Sequence, residues 1–161
     1  MRVLYFVDID GTIADHTQRA LNAGTCPSRS QQDAYKLWVE TINTGMEHDS
    51  PIAGMKEFAL LLHQSGCLFY LTNRGEQHRR STESWLYKHG FPAAPVIMRS
   101  PTSWDVSDGD YKQGEIYRIL DKLPFEYSIV MVDDDPRGEI HKMCVDNKWT
   151  FLKAAFGIGK N

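Results

Sequence analysis

The chain has 161 residues, 42% of them hydrophobic and 24% charged, and a formal net charge of −3. That length suits one domain around a single core, the apolar runs fall far short of a membrane span, and the acidic balance excludes any global attraction to nucleic acid, so a polynucleotide contact must rest on a local basic patch. Three cysteines, Cys26, Cys67 and Cys144, without CxxC spacing, argue against a disulfide frame or zinc site and for the reduced thiols of a cytoplasmic protein.

In chain order, Val3–Val7 reads as a buried strand running straight into Asp8-Ile9-Asp10-Gly11-Thr12. The run is too short for a signal peptide, and its removal would destroy the acidic motif it carries. Side chains alternate along extended backbone, so Asp8 and Asp10 face one side, and their repulsion must be offset by a cation or by protonating one of them. Residues 13 to about 50 then hold a polar stretch and a helical segment, 32–42, carrying Tyr35, Trp38, Val39 and Ile42. Ser50-Pro51 introduces a helix from about Ile52 to Gln64, closed by Gly66. A strand over Cys67–Leu71 leads into Thr72-Asn73-Arg74-Gly75, and a helix over about Glu76–His89 comes next, with Arg74, His78, Arg79 and Arg80 as the local basic patch.

Beyond Gly90 the pattern predicts a strand over Pro95–Met98, a helix over Tyr111–Lys122 with Lys112 at its opening, and a strand over Ser128–Val132 ending in Asp133-Asp134-Asp135. Asp135 reads as an N-cap with Pro136 at the first helical position, and Thr150–Ala154 as a last short strand. Gly157-Ile158-Gly159-Lys160 lacks the glycine spacing and the Ser or Thr of a phosphate loop, so no kinase is encoded and the segment reads as a frayed tail. The six histidines show no metal-ligand spacing.

Strand-like runs alternating with helical patterns predict an α/β fold, a mostly parallel sheet with helices on both faces, whose ligands bind beyond the carboxyl ends of the strands. Asp8, Thr72 and Asp133 all fall at such ends. A carboxylate attacks phosphorus only where the substrate's charge is neutralised, which calls for a divalent cation, a lysine and hydrogen-bond donors. The aspartates supply the hard oxygens that magnesium prefers.

The four patches, in this order, resemble the haloacid dehalogenase (HAD) superfamily: an hhhhDxDGT motif, a strand ending in Thr, a helix lysine and a late acidic pair. Within it, Leu71-Thr72-Asn73-Arg74, Val96-Ile97-Met98-Arg99, Lys112-Gln113-Gly114-Glu115-Ile116 and Val132-Asp133-Asp134 are similar to blocks of the 3′-phosphatase domain of polynucleotide kinase-phosphatases. The resemblance implies a Rossmann-like three-layer sandwich over residues 1–161, with a small helical cap at 13–50. It implies a Mg²⁺-dependent phosphomonoester hydrolase with Asp8 as nucleophile, Asp10 as general acid and base, and Thr72 and Lys112 holding the phosphoryl group. Thr12, Asn73, Arg74 and Arg99 would contact substrate, and the metal would take the Asp8 carboxylate, the Asp10 carbonyl, Asp133 and Asp134. Asp8 is expected to stay ionised beside Mg²⁺ and Lys112, and Asp10 to keep a raised pKa.

The implied partner is a phosphorylated nucleotide or nucleic-acid 3′ end, met by a monomer or homodimer with no membrane contact. Asp105, Asp108 and Asp110 make one loop acidic, which keeps a 5′-nucleotide or sugar phosphate open as substrate, and Trp38 and Trp104 suit stacking on a base. A non-enzymatic phosphoacceptor domain would carry similar residues, but it places its acidic pair first and its acceptor mid-chain.

Overall fold

The computed structural model describes residues 2–155, so the tail at 157–160 lies outside the described residues. Five parallel strands form the central sheet: β1 (Val3–Val7), β4 (Cys67–Gly75), β5 (Val96–Arg99), β6 (Ser128–Asp133) and β7 (Thr150–Lys153), in the order β5-β4-β1-β6-β7. The connections diverge to either side of β1, which puts the crevice at its carboxyl end. Both faces of the sheet are apolar, as parallel sheets require. Val7, Leu68, Tyr70 and Val132 pack with Ala59 and Leu62 of α3 (Met55–Ser65) and with Trp85 and Leu86 of α4 (Arg79–Lys88). On the opposite face Leu4, Phe6, Leu71, Ile129 and Met131 pack with Ile116 of α5 (Asp108–Leu120) and with Ile140 and Met143 of α6 (Glu139–Asn147). The result is the expected three-layer α/β sandwich.

Between β1 and α3 the chain leaves the sheet. β2 (Ala14–Asp15) and β3 (Ser50–Pro51) pair antiparallel, Ala14 with Pro51 and Asp15 with Ser50, and tie the two ends of this excursion together. It carries α1 (Thr17–Ala23) and α2 (Gln32–Ile42).

Several boundaries differ from the periodicity reading, each for a local reason. The Thr72–Gly75 segment continues β4 because Gly75 pairs with Arg99 after a register shift, a bulge of the kind found beside active sites. α5 starts at Asp108 because the Ser107 hydroxyl accepts from the Asp110 N–H at 3.0 Å, so Lys112 sits one turn into the helix. α6 starts at Glu139, with Gly138 in the left-handed region, and Pro136 is not helical. Asp135 still caps that helix from a distance: its carboxylate accepts from Ile140 N–H at 3.0 Å and His141 N–H at 2.9 Å.

Candidate active site

The site begins with the turn that ends β1. Val7 packs on the α3–α4 side, so alternation turns Asp8 to the α5 side, toward Lys112. The Ile9 carbonyl accepts from Thr12, Ile13 and Ala14 N–H groups at 3.2, 2.9 and 2.9 Å, curling the chain over itself. Gly11 holds φ 79 there, and a Cβ would collide with the Asp134 carboxylate, so both backbone and space require glycine. The Thr12 side chain is wholly buried: its hydroxyl donates to Asp8 Oδ2 at 3.4 Å and accepts from Asp134 N–H at 3.0 Å. It braces two carboxylate loops against each other.

Asp8, Asp10, Thr72, Asn73, Lys112, Asp133 and Asp134 line one cavity of about 130 Å³. Sequence distances of up to 126 positions collapse there because the strands carrying them are neighbours in the sheet. Lys112 is 1% exposed and donates to Asp8 Oδ1 at 2.8 Å and to Asp133 Oδ2 at 2.6 Å. The remaining Asp133 oxygen accepts from Asp135 N–H at 2.8 Å. Thr72 is held by Tyr111, whose hydroxyl donates to its carbonyl at 3.3 Å, and its own hydroxyl accepts from Arg74 N–H at 3.2 Å. Asn73 Oδ1 is buried without a hydrogen-bond partner at the cavity wall, an acceptor waiting for a donor.

Asp10 lies in a different electrostatic setting. Arg74 grips it with two bonds, Nε to Oδ2 at 2.9 Å and Nη2 to Oδ1 at 2.7 Å, and Arg19 Nη2 reaches Oδ1 at 2.6 Å. Behind them Asp49 takes Arg19 bidentately, at 2.8 Å from Nε and 2.5 Å from Nη2, and approaches Arg74 at 3.5 Å. Arg19 Nη1 also donates to the Ile42 carbonyl. Arg19 and Asp49 escaped the motif reading because they belong to the polar excursion, far from any strand end. Arg19 is nevertheless the one Lys or Arg between Asp10 and Arg29, a weak signal that was there to use.

The two carboxyls differ sharply: Asp10 does not keep the raised pKa expected of it, while Asp8, with Lys112 alone opposing burial, is raised. For Asp10, burial pushes the carboxyl up, but the charge and hydrogen bonds of Arg74, helped by Arg19, outweigh it and hold the group well below the usual carboxylate range. For Asp8, burial raises the carboxyl, Lys112 opposes this, and repulsion from Asp133 and Asp134 adds to it, leaving it well above that range. Burial and the Asp133 charge push Asp134 up to about 6. Burial would lower the Lys112 ammonium, but Asp133 and Asp8 overcome it and hold it above the ordinary range. Three carboxylates share one ammonium, whereas Asp10 and Asp49 share two guanidiniums.

A family model for the HAD superfamily, subfamily IIIB (acid phosphatase), matches residues 2–148. The chain belongs to that family. It is a phosphatase on the HAD scaffold. No curated protein matches it in sequence. Among solved structures, one of the Pnkp1/Rnl/Hen1 complex superposes with a TM-score of 0.68 at 16% identity, covering 98% of this chain and 47% of that one. The HAD protein therefore spans just under half of that relative. The class C acid phosphatase from Bacillus anthracis with tungstate bound gives 0.54 at 17%, covering 95% and 66%. A HAD family enzyme from Bacteroides thetaiotaomicron, an aspartate-to-alanine mutant in complex with magnesium and inorganic phosphate, gives 0.53 at 10%, covering 99% and 98%. At these identities the superpositions speak for the fold.

The acidic corner of this HAD phosphatase fits a divalent cation. Asp8, Asp133 and Asp134 can each offer one oxygen with all three oxygens within 4.8 Å of one another, and the donors are all hard. Three carboxylates face the one Lys112 ammonium there, so the corner has room for further positive charge. A carboxyl raised in the fold binds more protons folded than unfolded, so it costs stability as pH rises through the window between the two values. With EDTA present, thermal stability is expected to fall as pH rises from about 4 to about 6, the Asp134 window, and Mg²⁺ to remove most of that fall. Scanning fluorimetry at stepped pH with and without Mg²⁺ reads this out; parallel curves would contradict the metal corner.

Proposed function

We propose that this phosphatase hydrolyses phosphomonoesters of nucleotides, foremost at polynucleotide 3′ ends, through a phosphorylated Asp8. Mg²⁺ would be held by the Asp8 carboxylate, the Asp10 carbonyl, Asp133 and Asp134. The observation that carries this reading is the single cavity shared by Asp8, Thr72, Asn73, Lys112 and the acidic pair. The bound ion supplies charge neutralisation of the incoming phosphoryl oxygens.

In the first half-reaction an Asp8 oxygen attacks phosphorus and the ester P–O bond breaks, with Lys112 and the Thr72 hydroxyl stabilising the transferring group. The departing oxygen takes a proton from Asp10. In the second, water attacks the same phosphorus, gives its proton to Asp10, and the bond to Asp8 breaks. Asp10 must therefore carry a proton at one moment and accept one at the next. Its guanidinium clamp favours the accepting form, so the donating form requires a substrate phosphate to compete for Arg74 and Arg19.

The nucleotide reading rests on the block resemblance, on Trp38, Trp104, Arg74 and Arg99 beside the cavity, and on the likeness to a chain of an RNA repair complex. We read residues 13–50 as a flap of the same single domain, since Arg19 and Asp49 reach from it into the site. A reducing, cytoplasmic setting agrees with the free Cys26, Cys67 and Cys144. No helix of the described residues is long and apolar enough to cross a membrane.

The test is a panel with Mg²⁺ or EDTA: 3′-phosphorylated oligonucleotide, 3′- and 5′-mononucleotides, sugar phosphates and p-nitrophenyl phosphate. Release that needs Mg²⁺ and is fastest at 3′ phosphates is the expected result. Sugar phosphates ahead by orders of magnitude would overturn the substrate, and full activity in EDTA would overturn the metal.

A further inference from the structure

Beyond Asp10 the cavity continues past Asn73 and Arg74 into a second compartment of about 180 Å³, walled by Trp38, Trp104, Arg99 and Arg137. Each compartment is smaller than the roughly 300–1,000 Å³ that encloses a whole small ligand, so neither alone has room for an entire nucleotide.

Three arginines converge on Asp108, which lines both spaces; Arg99 and Arg137 line the second, and Arg29 lines an adjoining one of about 240 Å³ that shares Trp104 with it. Arg29 Nη2 lies 2.7 Å from Asp108 Oδ1, Arg99 Nη1 3.4 Å from the same oxygen, and Arg137 Nη1 3.7 Å from Oδ2. They come from the excursion, the end of β5 and the turn before α6. The nearest other acid, Glu139, stands 3.9 Å from Arg29, and its second oxygen accepts from the Asp108 N–H at 3.0 Å. Elsewhere charges pair off: Arg19 and Arg74 with Asp10 and Asp49, and Lys112 with Asp8 and Asp133, where a divalent ion would complete the balance with Asp134. Here three guanidiniums face two carboxylates.

Arg99 makes the surplus costly. It is 1% exposed, stacked over Tyr111 at 4.7 Å and Trp104 at 5.9 Å. Its Nη2 donates to the carbonyls of Val106 at 2.7 Å and Ser107 at 3.2 Å, but its Nε has no partner, and neither has the buried Nε of Arg29. A buried guanidinium that is only partly paired is an unsatisfied charge, and such charge is retained where an anion completes it. Burial accordingly lowers the Arg99 pKa, with Asp108 opposing.

We propose that Arg29, Arg99 and Arg137 form a second anion site that takes a phosphate one nucleoside away from the scissile one. The preferred substrate is then a nucleoside flanked by two phosphates: a 3′-phosphorylated polynucleotide end, or a nucleoside 3′,5′-bisphosphate. The proposal rests on the phosphatase reading of the first cavity and deepens it. It also accounts for the acidic loop, since Asp108 gathers the arginines that receive the anion and is outnumbered by them.

The test compares kcat/KM for thymidine 3′-phosphate, thymidine 3′,5′-bisphosphate, a 3′-phosphorylated dinucleotide and p-nitrophenyl phosphate, all with Mg²⁺. The second phosphate is expected to raise kcat/KM at least about tenfold over the monophosphate, mostly through KM, and Arg29→Gln or Arg137→Gln to erase most of that ratio. Arg29→Lys, which keeps the charge, should restore part of it. A bisphosphate advantage and a dinucleotide advantage both support the site, and their order tells free nucleotide from polynucleotide. Wild-type ratios near one, with all four compounds turned over, would overturn the second site and leave the phosphatase reading standing. Variants that slow every substrate by one common factor would reduce the arginines to structural ties and overturn it too. Turnover of none of the four would overturn both.

Discussion

Asp8→Asn is expected to lower phosphate release by at least about 10⁴-fold, since an amide cannot accept the phosphoryl group, and yet to leave the metal-free protein no less stable than the wild type. The second half comes from the charge count around Lys112. Asp8 is buried, and repulsion from Asp133 and Asp134 adds to the cost of its charge. Lys112 opposes that cost but keeps its 2.6 Å contact with Asp133 when Asp8 is neutral. Swapping a charged oxygen for an isosteric amide thus relieves repulsion without orphaning the ammonium. Melting curves in EDTA and in Mg²⁺ separate the two effects: the wild type gains from Mg²⁺, whereas the variant, short of one ligand, gains little. Residual turnover near the wild-type rate would remove Asp8 as nucleophile. A large drop of Tm in EDTA would show that the Asp8–Lys112 pair supports the fold.

For Asp10→Asn the expected loss is roughly 10²–10⁴-fold on alkyl phosphomonoesters, the usual worth of one positioned proton. The pattern across substrates is more telling than the size. The aryl oxygen of p-nitrophenyl phosphate departs without a proton, so the first half-reaction survives while the second, which needs Asp10 as base, stalls. Stopped-flow should therefore record a burst of about one nitrophenolate per active site, then slow release. The pH profile has a definite sign. Arg74 and Arg19 hold Asp10 well below the usual range, so its protonated fraction grows as pH falls. At saturating Mg²⁺, which holds Asp8 and Asp134 ionised, the wild-type rate on alkyl esters should climb toward acid, and Asp10→Asn should lose that limb. A variant that slows aryl and alkyl esters equally with no burst would take the proton-transfer role away from Asp10.

The sheet and the main cavity were legible because both are written in local patterns. Apolar runs of strand length, alternating with helical stripes, fix a parallel sheet, and polar residues directly after three of those runs fix where the crevice opens. Asp8, Thr72 and Asp133 needed nothing further. Helix starts were harder, since they turn on single hydrogen bonds: the Ser107 cap drew α5 back to Asp108, and Gly138 delayed α6 to Glu139. The ionisation states were beyond reach. Motif spacing says which carboxylates are near one another but not which cations lie behind them, and the clamp on Asp10 joins Arg74 to Arg19, whose approach depends on how the excursion after β1 folds back. Arg99 was expected near substrate, but nothing in the chain order showed that Arg29 and Arg137 would join it.

The ladder that joins Ala14 to Pro51 and Asp15 to Ser50 divides the freedoms of the chain. Inserting one residue before Asp8 would swap the two faces of the strand end and bury the Asp8 carboxylate among the side chains around Val7. Inside the ladder no such parity rule applies: the excursion leaves and returns at one place, so it can lengthen, shorten or exchange its aromatic residues without shifting the strand beneath. Changes in what the enzyme prefers can therefore accumulate there as long as Arg19, with Asp49 behind it, keeps its hold on Asp10.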